Sequence, residues 1–299
     1  MKIKKILLPV DLSKITPFTT CRAVFLSKVF NSKVILYHVI ETSGDETLPG
    51  EVSNMLKVYV EDLIKGRISD LKAIESDFKS ENIPYKVIAE QGKAYEEIIK
   101  VQEKMSPDIV MIGNSRKIKK ILLGSNADRI IRYSTKPVWV CKNKTCSKIK
   151  EILIPIDFSE FSETAMEWGI SLAKTFDAKL TLVHVVKPYI TNSNYLQLIR
   201  EKKISLREYS HLEMDKFLFK YDVSGLKYTV KILMGEPSKK IKQMALKIKP
   251  QLIIMGTHGR AGISHFFLGS VTEKVLEEIC CDVLVVRPKT NKTEGTDEN

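Results

Sequence analysis

Short apolar runs of five to seven residues punctuate the chain, and between them lie longer stretches in which apolar positions recur every third or fourth residue. The runs are rich in Val, Ile and Leu without polar alternation, the pattern of strands covered on both faces. The longer stretches carry the 3.6-residue period of helices, so the chain reads as βα units around a parallel sheet. In the C-terminal half this predicts strands near 151–156, 179–185, 228–233, 251–255 and 282–286, with helices near 161–176, 193–220, 237–248 and 270–279. A long, charged helix over 51–80 is the counterpart of 193–220. Thr16 followed by Pro17 predicts an N-cap with proline at the first helical position, and Ser270-Val-Thr-Glu273 reads as a capping box, echoed by Ser125-Asn-Ala-Asp128.

The apolar runs also match one another. "ILLPVD" at 6–11 returns as "ILIPID" at 152–157, and "VILYHVI" at 34–40 as "LTLVHVV" at 180–186, both at an offset of 146. "SPDIVMIG" matches "KPQLIIMG", and "KPVWV" matches "CDVLVV", at offsets of 143 to 145. That period is too long for a solenoid, so two copies of one domain, each owning its core, make up the chain. Each copy is expected to be an open parallel five-stranded α/β sheet with helices on both faces. The expected boundaries are 1–145 and 146–289, with the basic stretch "CKNKTCSKIK" as linker and 290–299 as a disordered tail. The apolar segments "PVWV" and "DVLVV", last in their copies, are candidates to pair the two domains edge to edge.

Composition narrows the class. No apolar run reaches the roughly 20 residues a membrane helix needs, and the basic opening "MKIKKILLPVD" is interrupted by Pro9 and Asp11, so a cytosolic protein without a membrane span is expected. Cys21, Cys141, Cys146, Cys280 and Cys281 have no framework spacing and should be reduced thiols, with no metal site. The net charge of +12 is concentrated at 101–150, with 12 basic against 3 acidic residues. No recognised nucleic-acid motif accompanies it, so a solvated face is expected and nucleic acid is not.

Candidate chemistry collects at one end of the second copy. In an open parallel sheet, ligands bind at the carboxyl ends of strands near the reversal of strand order. Asp157, Val185 and Gly256 end the first, second and fourth strands and should share that crevice. Gly256 and Gly259 would permit φ > 0 and a close backbone approach, while Gly269 and Ser270 open a helix whose N–H groups favour an anion. Asp157, lacking a metal, is suited to accept hydrogen bonds from a base or a ribose hydroxyl. Arg260 is the one cation in this loop placed to steady phosphates.

Together these residues resemble the universal stress protein family over almost all of 1–289. The family's ATP-binding signature, G-x2-G-x9-G-[ST], is matched by Gly256, Gly259, Gly269 and Ser270. Asp157, Val185 and Val271 take the family's remaining nucleotide-contacting positions. The resemblance implies tandem Rossmann-like domains, ATP with or without magnesium, intramolecular domain pairing with further homodimerisation left open, and a role in stress adaptation. Slow ATP hydrolysis or self-phosphorylation is linked to the family, but no P-loop and no nucleophile–base arrangement is readable, so no catalytic residue is assigned. A slow ATPase or transferase, and a scaffold whose basic first domain binds an acidic partner, are the alternatives.

The first copy keeps Asp11, Val39, Gly113, Gly124 and Ser125, but Arg116 replaces the second glycine and the loop is two residues shorter. Weak or absent ATP binding is expected there, with Arg116, Lys117, Lys119 and Lys120 able instead to hold another anion or lock the loop. His38 and His184, at equivalent strand ends, are expected to be hydrogen-bonded core histidines.

Overall fold

The computed structural model describes residues 2–41, 50–114, 126–142, 146–187, 205–259 and 268–288. The first half runs β1 (Lys5–Pro9), α1 (Thr16–Phe30), β2 (Lys33–Ile40), α2 (Gly50–Ser80), β3 (Tyr85–Gln91), α3 (Ala94–Met105), β4 (Ile109–Gly113), α4 (Asn126–Tyr133) and β5 (Val138–Cys141). The second runs β6 (Glu151–Ile156), α5 (Glu160–Phe176), β7 (Lys179–Val186), α6 (Leu206–Phe219), β8 (Tyr228–Met234), α7 (Pro237–Ile248), β9 (Leu252–Gly256), α8 (Ser270–Glu278) and β10 (Asp282–Val286). The expected strands stand within a residue of these bounds. The part of the helix expected from 193 that precedes 205 lies outside the described residues.

The strands form one ten-stranded sheet in the order β3-β2-β1-β4-β5-β10-β9-β6-β7-β8. Pairing is parallel within each half, and strand order reverses between β1 and β4 and again between β6 and β9. At the centre β5 and β10 pair antiparallel, with Val140 opposite Val283 and Trp139 opposite Leu284. The last strands of the two copies thus join the halves, as their apolar sequences suggested.

Strand alternation sends side chains to two layers. Ile6, Leu8, Ile152, Ile154, Trp139 and Leu284 pack with α1, α2, α5 and α6 on one face. Leu7, Leu153, Val138, Val140, Val283 and Val285 pack with α3, α4, α7 and α8 on the other. Each layer runs through both halves, so the expectation of one core per copy is corrected: closing the β5–β10 seam makes both layers continuous.

The repeat extends to backbone conformation. The non-glycine residues with positive φ include the matched pairs Leu12 and Phe158 (56° and 65°), Asn31 and Asp177 (53° and 49°), and Ser106 and Lys249 (44° and 49°). Asn31 and Asp177 terminate α1 and α5 in the left-handed cap that suits short polar side chains.

The seam itself breaks this symmetry. Asp282, 1% exposed, accepts from Arg22 Nε at 3.0 Å, from the Trp139 indole at 3.1 Å and from the Lys142 backbone N–H at 3.0 Å. The positions equivalent to Arg22 and Asp282 are Trp168 and Pro137, an apolar pair. A second contact is reciprocal. Lys142 Nζ donates to the Leu276 and Ile279 carbonyls at the end of α8, and Arg287 donates to the Ile131 and Arg132 carbonyls at the end of α4. Each half therefore supplies a cation to the negative end of the other's last helix.

Candidate functional site

The second crevice is built around Asp157. Immediately after β6 the chain turns through Phe158 at φ 65°, which aims the Asp157 carboxylate along the start of α5. Its Oδ1 accepts from the Ser159 N–H (3.1 Å), the Ser159 hydroxyl (2.6 Å) and the Ser162 hydroxyl (2.6 Å). Ser159 also caps α5 by accepting from Ser162 N. Three donors on one oxygen fix the rotamer. The register of Ile156 with His184 sets Val185 level with Asp157, and His184 Nδ1 lies 2.8 Å from the Ile156 carbonyl.

Gly256, at the end of β9, lies so close to α5 that a Cβ there would meet Phe161 Cβ at 2.4 Å. Thr272 of α8 donates to the Gly256 carbonyl at 2.8 Å, and Gly269 N donates to the Thr257 carbonyl at 2.7 Å. A Cβ at Gly259 would stand 2.3 Å from Asp157 Oδ2, and one at Gly269 would stand 3.1 Å from the Thr257 carbonyl oxygen. Asp157, Gly256, Gly259 and Gly269 are thereby brought together, with Val185 beside them. Ser270 and Val271 begin α8 at the same end, Ser270 exposed and Val271 half-buried. Arg260 and the rest of the loop to residue 267 lie outside the described residues.

Two expectations need correction here. Gly256 and Gly259 are not at positive φ; among described residues the glycines that are so placed are Gly92, Gly225 and Gly235. These two positions require glycine because backbone and carboxylate pass within contact distance of where a side chain would begin. Nor does Ser270 cap α8. Gly269 is the N-cap, no side chain supplies the cap bond, and Ser270 is the first helical residue. The box is displaced because Gly269 is held to Thr257 and its own carbonyl accepts from Glu273 N at 2.9 Å. A one-residue shift also applies to α1, where Ile15 is the N-cap and Thr16 instead donates to Asp11 Oδ1 at 3.3 Å. The echo at Ser125 falls outside the described residues.

The first crevice repeats the frame and changes the contents. Asp11 Oδ1 accepts from Ser13 N at 3.0 Å, Leu12 has φ 56°, and His38 Nδ1 lies 2.8 Å from the Val10 carbonyl. The two histidines thus do the same structural work, each tying the second strand to the end of the first. Gly113 lies against α1, where a Cβ would meet Ile15 Cγ2 at 2.6 Å. Arg116, Lys117, Lys119, Lys120, Gly124 and Ser125 lie outside the described residues. A cavity of about 360 Å³ is lined by Asp11, Tyr37, Val39, Glu41, Asn114 and Asn126, among others.

Glu41 was not anticipated. Its Oε1 accepts from the Ala94 N–H at 3.3 Å and from Asn126 Nδ2 at 2.9 Å, so a carboxylate of the chain itself spans the starts of α3 and α4. The equivalent residue of the second half is Lys187, and that charge reversal is visible when the chain is aligned with itself.

The fold and the paired crevices define a tandem α/β protein with a parallel sheet in each half, one crevice rich in glycine and the other bridged by a carboxylate. The universal stress protein family model matches residues 2–142 and 148–287, and the chain belongs to that family. A universal stress protein of Methanocaldococcus jannaschii is 35% identical over 142 residues, 46% of this chain and 82% of that protein. The crystal structure of a universal stress protein from Archaeoglobus fulgidus superposes with a TM-score of 0.72 at 22% identity, covering 96% of this chain and 97% of that one. A putative universal stress protein from Pseudomonas aeruginosa superposes with a TM-score of 0.65 at 18% identity over 96% and 94% of the two chains. These two likenesses concern the fold. Among the described residues no helix is long and apolar enough to cross a membrane, and no group of three metal-ligating side chains is present.

Proposed function

We propose that the second domain binds ATP in the crevice formed by Asp157, Val185, Gly256, Gly259, Arg260, Gly269, Ser270 and Val271, and that the protein is a nucleotide-responsive regulatory module of the cytosol. The observation that carries this reading is the packing of Gly259 against the pinned Asp157 carboxylate, beside a helix whose first turn has no side-chain cap. A carboxylate held by three donors is pre-organised to accept from ribose hydroxyls or a base. The uncapped first turn of α8 suits a phosphate. Magnesium would travel with the triphosphate. Binding changes the surface offered to partners at this end of the second domain.

The first crevice does not take a triphosphate in this reading. Glu41 already places a carboxylate between two helix starts, and a second anion there would be repelled. The test is to denature the purified protein, identify any released nucleotide, and titrate the emptied chain with ATP by calorimetry. One ATP per chain is expected, lost in Gly259→Arg with the fold intact by circular dichroism. Two per chain would overturn the assignment of the first crevice, and none would overturn the reading altogether. Multiple turnovers well above the Gly259→Arg background would replace the binding module with an enzyme.

A further inference from the structure

The start of α8, at the second crevice, receives a side chain from the first half. Because β5 and β10 pair antiparallel, the last turn of α4 lies beside the first turn of α8. Arg132, in that last turn and 8% exposed, extends Nη2 across the seam to 3.6 Å from Glu273 Oε1. Its Nε donates to both Asp128 oxygens at 2.9 Å, one turn back on the same helix. Arg287 donates to the Ile131 and Arg132 carbonyls, which ties this end of α4 to the segment after β10. The guanidinium is therefore aimed from both sides.

Glu273 stands in the first turn of α8, and its backbone N–H donates to the Gly269 carbonyl. A carboxylate in a first turn interacts with the positive end of the helix and repels a second anion there. In α8 no side chain caps the helix, and the Glu273 carboxylate is turned to Arg132 instead. Its charge is balanced there, and the first-turn N–H groups are left to a phosphate. The other crevice is not served in this way. Aligned at an offset of 145, Arg132 corresponds to Glu277 and Glu273 to Asp128, so the equivalent pair is two carboxylates. These positions supply a cation toward the glycine-rich crevice and none toward the crevice bridged by Glu41.

We propose that Arg132 of the first half is a positioning residue for the nucleotide site of the second, an inference that rests on the ATP reading of that crevice. By holding and neutralising Glu273, it lets the start of α8 accept a phosphate, so the site is assembled across the seam.

The test is calorimetric titration of four full-length chains with ATP, with thermal midpoints recorded alongside: the parent, Arg132→Gln, Glu273→Gln and the double variant. Arg132→Gln leaves Glu273 uncompensated and should weaken ATP binding about five- to tenfold, the effect of one charge at a helix start. Glu273→Gln alters a side chain 30% exposed, so it should fold as the parent does. It should bind ATP about threefold more tightly, since one anion has gone from beside the phosphate. The double variant should bind at least as tightly as the parent, because no carboxylate is left for Arg132 to neutralise. Arg132→Gln also deprives the buried Asp128 of its cation and should lower the midpoint in both backgrounds. A loss of affinity caused by that damage alone would persist in the double variant. Should Arg132→Gln not fold, the parent and Glu273→Gln decide the matter. Equal ATP affinity in those two chains, an Arg132→Gln protein that binds ATP as the parent does, or a double variant as weak as Arg132→Gln overturns the inference and leaves the ATP reading standing. A parent chain that binds no ATP overturns both.

Discussion

Replacing Asp282 by Ala should be the most damaging single change at the seam. The side chain is 1% exposed and satisfies three donors at once: the Arg22 guanidinium, the Trp139 indole N–H and the Lys142 backbone N–H. Asp282→Ala strands a guanidinium 2% exposed that keeps the Ser147 carbonyl and the face of the Phe25 ring but no carboxylate. Removing one member of a buried ion pair costs about 3–5 kcal/mol, because the partner stays desolvated. The two orphaned N–H groups add to this without full additivity, so about 4 kcal/mol is a fair floor. At roughly 2–4 °C per kcal/mol for a unit of this size, the midpoint should fall by about 8–16 °C. Arg22→Met should cost less, since Asp282 keeps the indole and the amide. Arg22→Met combined with Asp282→Leu should recover most of the loss, because an apolar pair is what Trp168 and Pro137 provide on the other diagonal. Urea and thermal unfolding by circular dichroism, with tryptophan fluorescence to watch Trp139, would measure all four chains. An Asp282→Ala protein within about 1 kcal/mol of the parent, or a double variant no more stable than Asp282→Ala, would refute the argument.

Lys142 gives a pH dependence of definite sign. Burial pushes its ammonium down from 10.5 to about 8, so between those values the unfolded chain holds a proton that the folded chain has released. Stability should therefore rise with pH across that window, by up to about 3 kcal/mol, and Lys142→Met should remove that component. The readout is the difference between parent and variant in urea unfolding at pH 7 and pH 11, and a difference independent of pH would be the adverse result. Glu41→Lys, which copies the second half, should lower stability by about 1 kcal/mol, since it puts a cation at two positive helix ends and removes two hydrogen bonds. A thermal midpoint at or above that of the parent would contradict this account of Glu41.

Much of the architecture was legible because the apolar runs and their period are set by burial, and burial follows from the sheet. The strand ends of the second half could be read to within a residue for that reason, and the matching of β5 to β10 from two apolar segments that come last in their copies. The helix starts were legible only approximately. A Ser or Gly at the right spacing announces that a helix begins, but which residue is the N-cap depends on tertiary bonds such as Gly269 to Thr257. The glycine requirement was visible and its cause was not, since the approach of Asp157 to Gly259 is a contact across 102 positions of sequence. The charge count at 101–150 predicts a solvated face, yet Arg132 is buried and Lys142 half-buried. Arg132 lies between Asp128 at 2.9 Å and Glu273 at 3.6 Å, and Lys142 sits on the end of α8. Charge counting cannot separate a cation that faces water from one that faces the carboxyl end of a helix.

The two departures from symmetry bear on each other. A dimer of identical domains presents two identical crevices, whereas this chain presents one with the Gly256–Ser270 loop and one bridged by Glu41. That arrangement is useful only if unlike halves always meet. The seam favours this outcome: first half against first half would set Arg22 opposite Pro137, and second against second would set Trp168 opposite Asp282, each leaving a buried charge without its partner. The tether between the halves and the buried Arg22–Asp282 pair therefore select the same pairing. Once that pairing is fixed, substitutions can accumulate in one crevice without being copied into the other. The last helices extend this division across the seam. α4 starts beside Glu41 and ends on Arg287 of the second half, while α8 starts at Ser270 and ends on Lys142 of the first. Each crevice thus opens onto a helix that the opposite half holds by its far end.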